Sequence, residues 1–159
     1  KALEKECLVE GFKIKWPNDI YFESKKLAGV LLENQIQTKN QSVVIGVGIN
    51  YALDQSMTFE IPWIDLAKTT KTLPNIKLLT AEIINNILVM SEHFSAFGFN
   101  DFRSDWKRYD MLQGKKVKCT DLKDYFEGKV VGVTSQGALK IYTKNGVKEL
   151  YSSRHIKYI

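Results

Sequence analysis

A run of short strand-like segments punctuated by tight-turn residues constrains this chain more than any other feature. Phe12-Lys13-Ile14-Lys15-Trp16 alternates apolar and polar, which is the period of a half-buried strand. Pro17-Asn18-Asp19 supplies turn chemistry, and Ile20-Tyr21-Phe22 resumes a strand. Glu23 to Lys25 turn the chain again before a segment from Leu27 to Gln37. A polar break at Thr38 to Gln41 precedes Ser42 to Leu53, which continues in strand fashion. Successive short strands joined by tight turns argue for an antiparallel meander.

Helices are expected at the start and in the middle of the chain. Residues 2 to 10 form the end of a helix stopped by Gly11, which tolerates positive φ. Asp65-Leu66-Ala67 marks a short helix. Thr80 to Phe97 marks a longer one, with Ile83, Ile84, Ile87, Leu88, Met90 and Phe94 at helical spacing. Asn100 is the expected N-cap of a third, carrying Phe102, Trp106 and Tyr109. These stripes are expected to be core packing. Beyond Gly114 the pattern changes to short strands at Lys116 to Cys119, Phe126 to Val133, Ala138 to Thr143, Val147 to Tyr151 and Ile156 to Ile159. Turns are expected at Gln136-Gly137 and Asn145-Gly146. A compact SH3-like barrel is the expected arrangement there, with the domain boundary near Leu112 to Gly114.

Composition narrows the function classes. A hydrophobic fraction of 44% with 26% charged residues is that of an ordinary globular protein, and no apolar run approaches the roughly 18 residues of a membrane span. Residues 1 to 11 are mixed and charged, unlike a signal peptide. Cys7 and Cys119 lie far apart with no nearby His or Cys, as do His93 and His155, so no metal site is expected and a reducing, cytoplasmic setting is. The net charge of +5 comes mainly from lysines scattered along the chain, with only Arg103, Arg108 and Arg154 as arginines. Scattered lysines make a solvated surface rather than a nucleic-acid module, so no nucleic-acid or membrane partner is expected through this chain.

The chemistry-bearing residues cluster early. Lys15, Asn18, Asp19 and Lys26 surround one turn and the strand after it. A lysine ammonium suits a carboxylate or phosphate oxygen, and Asp19 can orient a lysine, meet a ligand amine or hydroxyl, or help hold Mg²⁺. Gly29 inside a strand implies close approach by a ligand or another backbone. Gly46 and Gly48 alternate on one strand face and leave it bare for a flat ligand, and Asn50 follows on that face with an amide donor and acceptor. Each element alone has an ordinary structural reading: turn chemistry, strand bulges, a solvated Lys25-Lys26 pair.

The combination and its order resemble the biotin protein ligase family. The strings are Lys15-Trp16-Pro17-Asn18-Asp19, Lys26-Leu27-Ala28-Gly29-Val30-Leu31-Leu32-Glu33 and Val44-Ile45-Gly46-Val47-Gly48-Ile49-Asn50. The tail agrees, with Gly128 to Val133 and Gln136-Gly137-Ala138-Leu139 similar to that family's small C-terminal barrel. The resemblance implies an α+β fold, a mostly antiparallel sheet backed by helices (the class II synthetase-like biotin/lipoyl ligase core) followed by the SH3-like barrel. Residues 1–112 would be the C-terminal portion of the catalytic domain and 113–159 the SH3-like domain. It implies an enzyme that uses ATP to attach biotin, through biotinyl-5′-adenylate, to a lysine of the biotin carboxyl carrier protein of a carboxylase, with Mg²⁺ accompanying the triphosphate.

It also assigns roles. Lys26 would touch the biotin carboxylate and the α-phosphate, with Asp19 and Asn18 on the nucleotide and acceptor-lysine side and Lys15 supporting the phosphate region. Gly29, Val30 and Leu31 would form a wall of the biotin pocket, Gly46 and Gly48 its floor, and Asn50 would bond adenine. Dimerisation through sheet edges is compatible with the family. Two departures are plain. Nothing matches the family's upstream Gly/Arg-rich loop, so the chain is expected to be an incomplete piece with weak or absent catalysis in isolation. Ser152-Ser153-Arg154-His155 stands where many relatives carry Gly-Glu. The competing readings are a lipoate protein ligase, which shares the fold, and a non-catalytic SH3-like interaction module. The Trp-Pro before Asn18 and Gly48-Ile49-Asn50 favour biotin. A repressor role requires a winged helix-turn-helix, which these residues do not contain.

Overall fold

The computed structural model describes residues 1–36, 41–121, 124–152 and 155–158. They gather into two compact units, Lys1–Lys13 with Asn18–Asn85, and Ile14–Pro17 with Asn86–Ile159. This division differs from the change of sequence pattern at Leu112 to Gly114, because the latter half of the long helix belongs with the C-terminal strands.

In the first unit, α1 (Ala2–Cys7) places Leu3 and Cys7 four residues apart on one buried face. The helix ends at Leu8, not at Gly11 as expected: Leu8 takes the left-handed conformation at φ 53°, and Gly11 follows separately at φ 106°. β2 (Asp19–Phe22), β3 (Lys25–Ile36) and β4 (Gln41–Ile49) form the expected antiparallel meander. The polar break read at Thr38 to Gln41 lies mostly outside the described residues. Leu27, Leu66, Ile64, Phe12 and Leu79 join Leu3 and Cys7 in a core on which Ile20 and Ile49 pack. Each large side chain buried there contributes ~1.5–3 kcal/mol.

The two helices that follow the meander begin where side chains cap them. Asp65 accepts from the Lys68 N–H and starts α2 (Leu66–Thr69). Asn75 accepts from the Lys77 and Leu78 N–H groups, so α3 runs Ile76–Phe97, four residues longer than the apolar stripe indicates. The expectation that this stripe is core is overturned. Leu79 is buried and Ile83 packs partly on the first core, but Ile84 and Phe94 are 53% exposed and Leu88 60%. Helical spacing sets which residues share a face; it does not supply the surface that covers them.

In the second unit, a 3₁₀ turn (Phe99–Phe102) leads into α4 (Arg103–Tyr109), so Asn100 sits inside the turn rather than at the cap. Phe99 and Trp106 pack edge to face on a core of Trp16, Leu112, Val117, Cys119, Val130, Leu139 and Ile141. β1 (Lys13–Lys15) brings Ile14 into a parallel bridge with Asp110. Trp16, which precedes a cis bond to Pro17, donates its indole N–H to the Gly137 carbonyl at 3.0 Å. β5 (Lys116–Asp121), β6 (Asp124–Val133), β7 (Leu139–Thr143), β8 (Gly146–Leu150) and β9 (His155–Tyr158) form a five-stranded antiparallel sheet in the order β8-β7-β6-β5-β9. Among the described residues no helix is long and apolar enough to cross a membrane.

Candidate functional site

The site is built on the first unit's meander, and a bulge aims its central residue. Asp19 pairs with Gly29 and Ile20 with Ala28, but Tyr21 pairs with Lys26, leaving Leu27 as an extra residue in β3. In an unbroken strand, Lys26 and Gly29 are three apart and face opposite sides. The extra residue reverses that parity, sends Leu27 into the core and turns Lys26 onto the face of Asp19 and Gly29.

On that face Lys26 Nζ lies 2.6 Å from Asp19 Oδ1, the lysine side chain 33% and the aspartate 23% exposed. Gly29 lets the pair rest against the strand: a Cβ there would stand 3.3 Å from Asp19 Oδ1 and 3.7 Å from Lys26 Nζ. Gly48 is directly opposite Gly29 in β4, and Gly46 is opposite Leu31. A Cβ at Gly48 would meet nothing within 4 Å, and one at Gly46 only Leu31, at 3.8 Å and beyond. The result is a charged pair at one end of a bare strip whose side wall is Leu31, 57% exposed. An ammonium held by one carboxylate, beside a strip of strand without side chains, can receive an anionic group of a flat ligand.

The main chain around the pair is fixed from both sides. Asn18 donates its amide N–H to the Val30 carbonyl at 2.7 Å, and the Val30 N–H returns to the Asn18 carbonyl at 2.9 Å. Val30 turns its side chain to the opposite face, opposite Val47, so what it offers here is its main chain. Asn50 commits its amide nitrogen to the Lys26 and Ile64 carbonyls, at 3.3 and 3.1 Å. Lys26 also donates its N–H to Pro62 O at 2.9 Å and accepts from Ile64 N at 3.0 Å. The structure thus brings Asn18, Asp19, Lys26, Gly29, Leu31, Gly46, Gly48 and Asn50 together. Lys15, half-buried in β1, belongs to the second unit.

Sequence reasoning missed the loop between β4 and α2. Lys25 and residues 57–63 enclose an open depression of about 500 Å³ beside the Lys26 backbone. Phe59 and Trp63 meet edge to face at 5.5 Å on its wall, and Lys68 lies 5.8 Å over the Trp63 ring. The signal in the sequence is the run of apolar and aromatic residues Met57, Phe59, Ile61 and Trp63 in a connection that belongs to no strand or helix. Among the described residues no three His, Cys, Asp or Glu side chains gather as metal ligands. The departure noted at Ser152 to His155 falls largely outside the described residues.

The family model of biotin/lipoate A/B protein ligases matches residues 9–50, the segment carrying this meander. The bifunctional ligase/repressor BirA of Bacillus spizizenii is 33% identical over 145 residues, which are 88% of this chain and 44% of that protein. The Escherichia coli protein of the same name is 32% identical over 131 residues, 80% of this chain and 40% of its own. The biotin protein ligase of Aquifex aeolicus solved with biotin and ATP superposes with a TM-score of 0.84 at 28% identity, over 99% of this chain and 66% of that one. The chain belongs to the biotin protein ligase family. It spans less than half the length of the curated relatives it matches.

Proposed function

We propose that the protein carrying this chain attaches biotin to a lysine of a biotin carboxyl carrier protein at the expense of ATP. The observation that carries this reading is the Lys26–Asp19 pair at the end of the bare Gly29, Gly48 and Gly46 strip. In the first step a biotin carboxylate oxygen attacks the α-phosphorus of ATP, the bond to pyrophosphate breaks, and biotinyl-5′-adenylate forms. Lys26 places a fixed positive charge where negative charge builds on the phosphoryl oxygens, acting by electrostatics and positioning. Asp19 holds the ammonium against the strand, and the Asn18–Val30 bonds hold Asp19's strand against β3.

In the second step a neutral carrier lysine attacks the acyl carbon, AMP leaves with the electron pair of the broken bond, and the amine gives up a proton. Mg²⁺ travels with the triphosphate. Leu31 and the glycine strip take the biotin side, while the aromatic depression at Phe59 and Trp63 takes the nucleotide side, with Asn50 and Asn18 fixing the main chain between them. Residues 1–112 serve as part of the catalytic domain and 113–159 as the SH3-like domain, and Lys15's assignment to the phosphate region rests on the resemblance alone. Biotin- and ATP-dependent labelling of a carrier domain by the full polypeptide tests the reading. Labelling that survives in Lys26→Ala, or that follows lipoate instead of biotin, overturns it.

A further inference from the structure

Asp65 has no exposed surface, and its two oxygens do different work. Oδ1 accepts from the Lys68 N–H at 3.0 Å, which is the cap of α2. Oδ2 accepts from the Leu53 N–H at 2.9 Å and the Gln55 side-chain amide at 3.2 Å, while that amide also donates to Leu53 O at 2.9 Å. Burying a carboxylate is costly, and an N-cap does not require one, since asparagine caps equally well. What a carboxylate alone supplies is an acceptor at both oxygens. Here the second acceptor ties the outgoing limb of the 53–63 loop to the start of α2. The returning limb is tied at Pro62 and Ile64 to the Lys26 main chain. Between the two limbs lie Met57 to Trp63, the wall of the depression.

We propose that Asp65 is a positioning residue: it clasps the 53–63 loop in the conformation that presents Phe59 and Trp63 to the nucleotide portion of the ligand. The inference rests on the functional reading above, and it names a residue that touches no reacting atom. Asp65→Asn separates the two duties. Its amide oxygen can still cap α2, but its NH₂ then faces two donors, Leu53 N–H and the Gln55 amide, and the clasp is lost. Gln55→Ala removes the Gln55 bonds to Asp65 Oδ2 and to Leu53 O, and leaves the cap and the Leu53 N–H bond to Asp65 in place.

The experiment titrates the full polypeptide that carries this chain, and both variants of it, with a non-hydrolysable biotinyl-adenylate analogue and, separately, with biotin, and follows amide exchange over 53–63. Asp65→Asn is expected to weaken the analogue at least about tenfold while biotin changes less than about twofold, with faster exchange confined to the loop. Gln55→Ala is expected to shift the analogue in the same direction by less. Equal weakening of both ligands would mark a general structural role and overturn the inference, as would unchanged loop exchange or an unchanged analogue affinity. If the parent polypeptide binds neither ligand, the functional reading fails and this inference with it; if the parent binds and Asp65→Asn matches it, the inference alone fails.

Discussion

Replacing Gly48 by alanine separates folding from ligand binding. Gly48 lies in the interior of β4, on the same row as Gly29 and Asp19. A Cβ built there meets no atom within 4 Å, and Gly48 is not among the glycines with positive φ. Alanine therefore fits without strain, and the loss of glycine's freedom in the unfolded chain stabilises the fold by ~0.4–1 kcal/mol. For a domain of this size that is a rise of about 1–4 °C in Tm. The same methyl stands up from the strip on which the ligand is to lie. Forcing a methyl into a packed contact costs ~1–3 kcal/mol, or about 5- to 150-fold in affinity. Thermal melts without ligand, and calorimetric titration with a biotinyl-adenylate analogue, read the two effects separately. A variant that melts at or above the parent yet binds the analogue poorly is the expected result. Unchanged affinity would refute the assignment of this strip as a ligand floor, and a lowered Tm would refute the argument from open space.

Other substitutions follow from the same geometry. Gly29→Ala places its methyl 3.3 Å from Asp19 Oδ1, so the Asp19–Lys26 pair must give by a few tenths of an ångström. Being partly exposed, the pair contributes at most about 1 kcal/mol to stability, so carrier labelling is expected to fall about tenfold with Tm changed by no more than a few degrees. Gly128→Ala puts a methyl 2.5 Å from Ile141 Cγ2 and 2.6 Å from the Tyr142 carbonyl, and should cost at least ~1–3 kcal/mol, read as a lowered denaturation midpoint. Burial pushes the Cys119 thiol from 9.0 up to about 11. The folded state then holds the proton that the unfolded chain loses first, so this group's contribution, ~2 kcal/mol, is present below pH 9 and lost as pH rises toward 11. Denaturant midpoints across that window, together with slow Cys119 alkylation at pH 8, check the sign.

Local chemistry made much of this legible. The meander was readable from alternation and turn residues, and the β7–β8 hairpin from Asn145-Gly146, although its loop residues are Lys144 and Asn145, with Gly146 already paired to Thr143. What local reading lacked was anything set by tertiary packing. The bulge at Leu27 is invisible in a string of residues, yet it alone puts Lys26 on the Gly29 face. Asn50 looked like a ligand group because its amide follows the glycine strip; in the fold that amide nitrogen ties the Lys26 and Ile64 main chain together. The α3 stripe showed amphipathicity but not coverage, and Ile84, Leu88 and Phe94 remain largely exposed. Asp65 read only as the first residue of a helix, because its second acceptor depends on a loop folding back from Leu53.

Lys26 and the glycine strip are proposed to form a site for biotinyl-adenylate. The decisive measurement titrates this chain and its Lys26→Ala variant with biotinyl- and lipoyl-adenylate analogues, by thermal shift and calorimetry. Stabilisation of the parent by the biotinyl analogue alone, reduced about 10²-fold or more in affinity by Lys26→Ala, is the expected result. Equal binding by parent and variant, or a preference for the lipoyl analogue, would contradict the account.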